Sequence, residues 1–362
     1  MVLEELRTDD HEQVSFFYDR ASGLEAIVAI HDTTRGPALG GVRLLPYETE
    51  TEALADVLRL SVAMSYKAAA AELDFGGGKA VIVADPEEKD EALFREFGRA
   101  VSRLGGNYIT AEDVNTGVAD LDVVAEETEH VIGTSDGLGD PSPVTAHGVV
   151  HGMQAALREQ YGDPSFEDVD VLIQGVGKVG SELAERLADR GANVAVSDPD
   201  PDSRRRLFDR LGEELPVVDP DAAFEYPCDV FAPCAVGRLG LGERGSLADA
   251  IDRLECDVVA GSANNVLGDR SGAKMYAERL AERDILYAPD YVINAGGLIS
   301  AAHEWRGNRK EAAYEEAERI EKRLAEISDA ARTEGVTTLE AADRYAERRL
   351  EAGSPASPIP GQ

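Results

Sequence analysis

One stretch, DVDVLIQGVGKVGSELAERLADRGANVAVSDPD (168–200), leaves the chain little architectural freedom. An apolar run, a glycine turn, an amphipathic helix and a second apolar run make a βαβ unit. Gly175, Gly177 and Gly180 fit G-x-G-x-x-G, with Lys178 and Val179 between the last two glycines. Glycines at this spacing let the backbone turn sharply and approach a pyrophosphate at the N-terminus of the next helix. The plainer reading, three glycines serving only packing, is disfavoured by the flanking strand and helix and by Asp198, which closes the second strand 18 residues after Gly180. An acid there accepts hydrogen bonds from the ribose 2′ and 3′ hydroxyls and repels a 2′-phosphate, which favours NAD. Arg204, Arg205 and Arg206 are the opposing signal, because they are placed to meet such a phosphate.

The rest of the chain alternates in the same way. LEAIVAIH (24–31) reads as a strand and RGPALGGVRLLPY as a loop or irregular strand. A helix runs from about Thr51 to AAAAE, and AVIVA follows a glycine loop as a buried strand. Helix EALFREFGRAVSRLG, strand NYITAED and helix VADLDVVAEET continue the pattern. Pro141 and Pro143 mark a hinge, after which HGVVHGMQAALREQ is helical. CDVFAPC, CDVVAGSANN and ILYAPDYVINAGG are spaced as further parallel strands, and the last ~50 residues read as two charged helices before a loose tail, SPASPIPGQ. The expected class is α/β: an N-terminal α/β domain over 1–140, a Rossmann dinucleotide-binding domain over 141–334, and helices at 335–355 that return to the first domain.

Composition narrows the partners. Asp and Glu number 70 against 36 Lys and Arg, a formal charge of −34, which disfavours nucleic acid and anionic membrane surfaces. No apolar run reaches the ~18 residues of a membrane span, and the acidic start does not resemble a signal peptide, so a cytoplasmic protein is expected. Acids spread over every exposed-looking helix, beside only seven lysines, give the pattern of a halophilic protein. Cys228, Cys234 and Cys256 form no CxxC pair and suit reduced thiols.

Against an arginine-rich background, Lys67 in MSYKAAAA and Lys79 in FGGGKAVIV stand out, each set in small or apolar sequence. A desolvated ammonium near a second positive charge becomes a base near neutral pH, while its partner holds a carboxylate. Two snorkelling lysines, at a helix end and in a loop, are the bland alternative. Asp113 in TAED, at a strand end, can exchange protons with an amine, balance the lysines or cap a helix.

PALGGVR, MSYKAAAA, FGGGKAVIVADP, YITAEDV, SPVTAHGV, QGVGKVG, CDVFAPCAVG, GSANN and APDYVINAGG, in this order through almost the whole chain, resemble the Glu/Leu/Phe/Val amino acid dehydrogenases. The resemblance implies a substrate and oligomerisation domain, a Rossmann domain and a cleft between them. It also implies reversible oxidative deamination of an L-amino acid to a 2-oxo acid and ammonia by a homo-oligomer. It gives Lys79 the activation of water, Asp113 the proton transfer at the amino group, and Lys67 the α-carboxylate together with backbone near Gly40 and Gly41. Leu39, Met64, Ala111, Asn264 and Val292 fall to the substrate pocket, and Thr145 and Asn294 to the cofactor. Two positions depart from the family pattern: Asn115, where leucine enzymes usually have glycine, and His147, where an apolar or aromatic residue is common. His147 and His151 are four apart on a helix, a metal-pair spacing, but no glutamate lies between them as in HExxH; no metal is expected.

Glutamate enzymes of the family carry a lysine where Leu39 stands. With Ala111 and Val292, Leu39 resembles the leucine and valine enzymes, implying an aliphatic substrate. The competing expectations are a glutamate dehydrogenase, with Arg43 or a loop arginine holding the second carboxylate, and a silent nucleotide-sensing protein on the same fold.

Overall fold

Among the described residues two five-stranded sheets organise the chain. The structure, a computed structural model, describes residues 2–235, 247–268 and 270–353; the tail expected to be loose, 354–362, lies outside them.

The first sheet contains β1 (Gln13–Asp19), β2 (Leu24–Asp32), β3 (Ala38–Leu45), β4 (Gly76–Val83) and β5 (Tyr108–Glu112), in the order β1-β2-β4-β3-β5. β1, β2 and β4 pair antiparallel, whereas β3 runs parallel to both β4 and β5. After α1 (Val2–Thr8), helix α2 (Glu50–Ala70) starts at Thr49, whose side chain accepts from the Glu52 amide. It covers one sheet face, where Ala53, Val57 and Leu58 pack with Ile27, Ala29 and Val81. On the other face, α3 (Glu91–Ser102) and α4 (Val118–Ala125) bury Phe94, Phe97, Leu121 and Val124 with Val42, Leu44 and Ile82.

The glycine run placed before AVIVA is not a loop. Gly76 to Gly78 are the first residues of β4, because the neighbouring backbone comes too close for side chains: a Cβ on Gly77 would lie 2.1 Å from the Ser65 amide nitrogen of α2. β1, which the periodicity did not mark, forms the sheet edge.

The second sheet is wholly parallel: β6 (Asp170–Gln174), β7 (Asn193–Ser197), β8 (Cys228–Pro233), β9 (Cys256–Val259) and β10 (Leu286–Tyr287), ordered β10-β9-β8-β6-β7. Read from β7 this is the doubly wound order 2-1-3-4-5, whose switch point lies at the carboxyl ends of β6 and β8. The unit opens with α5 (Ser142–Tyr161); α6 (Lys178–Ala188), α7 (Pro201–Leu211), α8 (Leu247–Arg253) and α9 (Arg270–Glu282) intervene between strands. Of ILYAPDYVINAGG only two residues are strand, since Pro289 starts the short helix α10 (Asp290–Ile293).

The helices α11 (Gly296–Trp305), α12 (Lys310–Glu318), α13 (Ile320–Glu334) and α14 (Thr338–Ala352) follow, so the charged C-terminal region holds three helices after α11 rather than two. The described residues form two units: those up to Gly139, Ala301–Lys310 and Ala346–Gly353 make one; those within Asp140–Ser300 and Glu311–Tyr345 make the other. The return expected at 335–355 thus comes as two segments. Glu304 in the first accepts from the Leu138 amide at 2.9 Å, while Thr338 and Asp343 stay with the second unit through Tyr287 and Tyr291.

Candidate active site

Strand registers bring together the candidate reacting groups of the first unit. Leu39 pairs with Gly77 and Ile109, and Gly41 with Ala111. Side chains alternate across a strand, so Leu39, Gly41, Arg43, Lys79 and Ala111 share the face covered by α2. Asp113 follows β5 directly on that face. A Cβ on Gly41 would lie 2.9 Å from the Asp113 Cβ, so glycine is what admits the carboxylate there. The carbonyl of Gly40 accepts from the buried Tyr108 hydroxyl at 2.6 Å, fixing the strand beside it.

Lys79 is 6% exposed, and its Nζ lies 2.8 Å from Asp113 Oδ2. Arg43 Nε meets the same oxygen at 3.0 Å, and its Nη1 meets Asp56 Oδ2 at 2.9 Å. Asp56, on α2, also accepts from the Tyr47 hydroxyl at 2.7 Å and pairs with Arg59. Cations and carboxylates thus alternate from Lys79 through Asp113, Arg43 and Asp56 to Arg59. Burial, then the charge of Arg43, hold Lys79 below the ordinary lysine value, opposed by Asp113. Burial alone would raise Asp113, but Lys79 and Arg43 outweigh it and keep the carboxyl below its usual range.

A positive charge beside Lys79 comes from Arg43, which the sequence did not place there. Lys67 occupies the last turn of α2, half-buried, with Met64 one turn earlier. Arg43, committed to two carboxylates, is not available to hold a substrate side chain. Sequence reasoning missed Asp56, although it falls eight and eleven residues before Met64 and Lys67, on one helix face. Leu39 is 1% exposed and Ala111 half-buried. Asn115 has φ +60° and donates to the Leu44 carbonyl at 2.9 Å, so the departure from glycine is a left-handed turn that asparagine tolerates.

In the second unit Gly175 has φ +94°, and a Cβ on it would lie 2.6 Å from the Ala235 amide nitrogen beyond β8. Gly180 packs still closer, 2.0 Å from its would-be Cβ to the Gly175 carbonyl oxygen. At Gly177, the N-cap of α6, a Cβ would meet nothing within 4 Å among the described residues, and none of their side chains caps the helix. Open space at an uncapped helix N-terminus suits a pyrophosphate. Lys178 is largely exposed, 3.8 Å from Asp140, and Val179 is half-buried. Asp198 accepts from the Val176 amide at 2.8 Å, which fixes it beside the glycine turn. Arg204 donates to the Asp198 carbonyl, Arg205 pairs with Asp202 and Arg206 with Asp200, so each of the three arginines is engaged locally.

Asn294, 3% exposed, donates from Nδ2 to the carbonyls of Ser262 and Ala263 and to Asn264 Oδ1 at 2.9–3.2 Å; its own Oδ1 is buried, with no hydrogen-bond partner among the described residues. An orphaned acceptor of this kind fits the carboxamide donor of a nicotinamide. Thr145 on α5 donates to the Pro141 carbonyl, and a Cβ on Gly296 would lie 2.6 Å from Thr145 Cα. Val292, expected at the pocket wall, is 1% exposed.

Residues 11–130 match the Glu/Leu/Phe/Val dehydrogenase dimerisation domain, and residues 137–201 and 204–354 match the Glutamate/Leucine/Phenylalanine/Valine dehydrogenase domain. The leucine dehydrogenase of Thermoactinomyces intermedius is 46% identical over 354 residues, 97% of this chain and 93% of that protein. The valine dehydrogenase of Streptomyces virginiae is 47% identical over 346 residues, 94% of each chain. Among solved structures, the L-tryptophan dehydrogenase of Nostoc punctiforme superposes with a TM-score of 0.84 at 39% identity, covering 97% of this chain and 99% of its own.

Proposed function

The chain belongs to the Glu/Leu/Phe/Val dehydrogenase family, and from that premise we propose that it is the NAD-dependent enzyme for reversible oxidative deamination of aliphatic L-amino acids. The observation that carries this reading is the buried Lys79 ammonium, held on Asp113 and opposed by Arg43. A bound NAD supplies the acceptor for the hydride leaving the α-carbon. Gly175, Gly177 and Gly180 with the first turn of α6, including Lys178 and Val179, hold the pyrophosphate. Asp198 takes the ribose hydroxyls, and Thr145 and Asn294 Oδ1 take the nicotinamide end. Local engagement of Arg204, Arg205 and Arg206 supports NAD over its 2′-phosphate.

Lys67 holds the α-carboxylate with backbone near Gly40 and Gly41. Asp113, whose Oδ1 carries neither cation, accepts a proton from the substrate ammonium. Neutral Lys79 takes a proton from the water that attacks the imine carbon. Asp113 returns its proton to nitrogen, and as the C–N bond breaks and ammonia leaves, the hydroxyl proton passes to the freed Asp113 carboxylate, leaving the 2-oxo acid. Leu39, Met64, Ala111, Asn264 and Val292 bound the substrate side chain. With Leu39 in place of a cation and Arg43 already paired, a second buried carboxylate would cost several kcal/mol, which excludes glutamate. One methylene is worth only ~1–3 kcal/mol in such a pocket, so leucine, isoleucine and valine all react.

The enzyme is a homo-oligomer of the cytoplasm. The match to a dimerisation domain supports the first part, as do Phe16 and Tyr18, exposed on edge strand β1. Among the described residues no helix is long and apolar enough to cross a membrane. The test is the initial rate of NAD and NADP reduction in molar KCl with leucine, valine, phenylalanine and glutamate offered separately. Turnover of leucine and valine with NAD is expected. Glutamate turnover would overturn the pocket and keep the lysine chemistry, whereas silence with all four would overturn both.

A further inference from the structure

We propose that His147, His151 and Glu318 form a site for a divalent transition metal of the zinc class, which ties α5 to the end of α12. The two histidines are one turn apart on α5, their rings edge to face with centroids 4.7 Å apart. Glu318 faces them from another helix, and one donor atom from each of the three side chains lies within 4.8 Å of the other two. His147 Nε2 and Glu318 Oε1 are already 3.3 Å apart. Ligand bonds of about 2.0–2.2 Å in a tetrahedral site require donors separated by about 3.2–3.6 Å. Closing the set takes side-chain movement on the order of 1 Å, available to Glu318, whose side chain is 54% exposed.

The surroundings supply what such a site needs beyond its ligands. His151 Nδ1 faces Glu321 Oε2 at 3.3 Å, and the other oxygen of Glu321 accepts from Arg158 at 2.7 Å. A carboxylate fixed beside one ring nitrogen sets the tautomer and leaves the opposite nitrogen with a lone pair. The Tyr314 ring packs edge-on to His147 at 5.2 Å and walls the site on one side, while the Glu318 side stays open to ions and to a water in the fourth position. Arg186 approaches from α6 but is paired with Glu182.

Two imidazoles and one carboxylate select zinc, nickel or copper over magnesium or calcium, which prefer all-oxygen shells. The HExxH test applied to the sequence looked for the carboxylate on the same helix; here it comes from α12, about 170 residues on. None of these side chains takes part in the proposed deamination, so the site stands or falls separately from it.

The test is calorimetric titration of the chelator-stripped full-length protein with zinc chloride in molar KCl, which suppresses loose association with surface acids. Expected are one zinc per chain, no comparable heat with magnesium, and a visible absorption band with cobalt(II). At zinc 100-fold above its Kd, the Tm should rise by about 5 °C or more. His147→Asn and His151→Asn should each weaken binding at least tenfold, with folding checked by circular dichroism; Glu321→Gln should weaken it about 10- to 100-fold. Glu318→Gln, at an exposed position, decides the matter should the histidine variants misfold. Absence of stoichiometric zinc binding, or binding undiminished in folded His147→Asn and His151→Asn or in Glu318→Gln, overturns the proposal.

Discussion

The protonation of Lys79 is set by a contest between burial and Arg43, which favour the neutral amine, and Asp113, which favours the ammonium. Deamination in the proposed mechanism needs the neutral amine, so kcat/KM rises with pH as Lys79 loses its proton, below the ordinary lysine range. Arg43→Gln removes a charge that opposes the ammonium and leaves Asp113 entirely to Lys79. Both changes raise the Lys79 pKa, so the acid limb of the pH–rate profile should move up by about one unit; an unmoved limb would detach Arg43 from the chemistry. Lys79→Ala should lower kcat by about 100- to 10,000-fold while NAD, whose proposed contacts lie in the other unit, binds unchanged. Retained turnover would remove the mechanism. Lys79 and Asp113 were legible in the sequence because small and apolar neighbours surround one and a strand end places the other. Arg43 was legible only as a spare cation, since its true partners depend on the β3–β5 register and on the face of α2, neither of which has a local signal. Asn115 was likewise visible as a departure, but its φ was not.

At the scale of elements, two glycines of similar motif appearance do opposite things. Gly77 lies where β4 presses on α2, and a Cβ there would meet the Ser65 backbone nitrogen at 2.1 Å. Gly177 lies at the N-cap of α6 with φ −69°, and among the described residues nothing comes within 4 Å of where a Cβ would be. Gly77→Ala should therefore destabilise the fold, by about 1–3 kcal/mol on the usual scale of overpacking, and displace Lys67 relative to Lys79. Gly177→Ala should keep the wild-type Tm to within about 2 °C and weaken NAD binding at least tenfold, because the methyl occupies the space proposed for pyrophosphate. Equal stability of both variants, measured by denaturant titration and read beside NAD affinity, would sink this division of labour. The βαβ unit was readable because strand, turn and helix are contiguous there. β1 escaped because an edge strand with Phe16 and Tyr18 outward lacks the apolar alternation of a half-buried strand. The glycines of β4 read as loop because propensity is local, whereas the close approach of Ser65 and Asp32 that selects them is not.

At the scale of the whole molecule, the two-domain plan followed from the order of motifs, but the path of the C-terminus did not. Charged helices look alike in sequence, and what assigns Ala301–Lys310 and Ala346–Gly353 to the first unit is contact with residues far away in the chain. Charge acts on the same scale. Seventy acids face 36 lysines and arginines, so even complete pairing leaves 34 carboxylates without a cation. Surface pairs such as Arg279–Asp252 or Arg344–Glu340 are each worth about 0–1 kcal/mol and weaken with salt. Screening therefore acts in two directions, loosening pairs of small value and relieving repulsion among the unpaired acids. Repulsion sums over the whole surface and the pair terms stay local, so relief should win once the Debye length falls to ~3 Å in molar salt. The expected outcome is a Tm that rises from dilute buffer to molar KCl and rises equally with NaCl, since screening does not distinguish the cations. A Tm indifferent to salt would mean that the acids are spaced too widely to repel, and the halophilic reading of the sequence would fail with it.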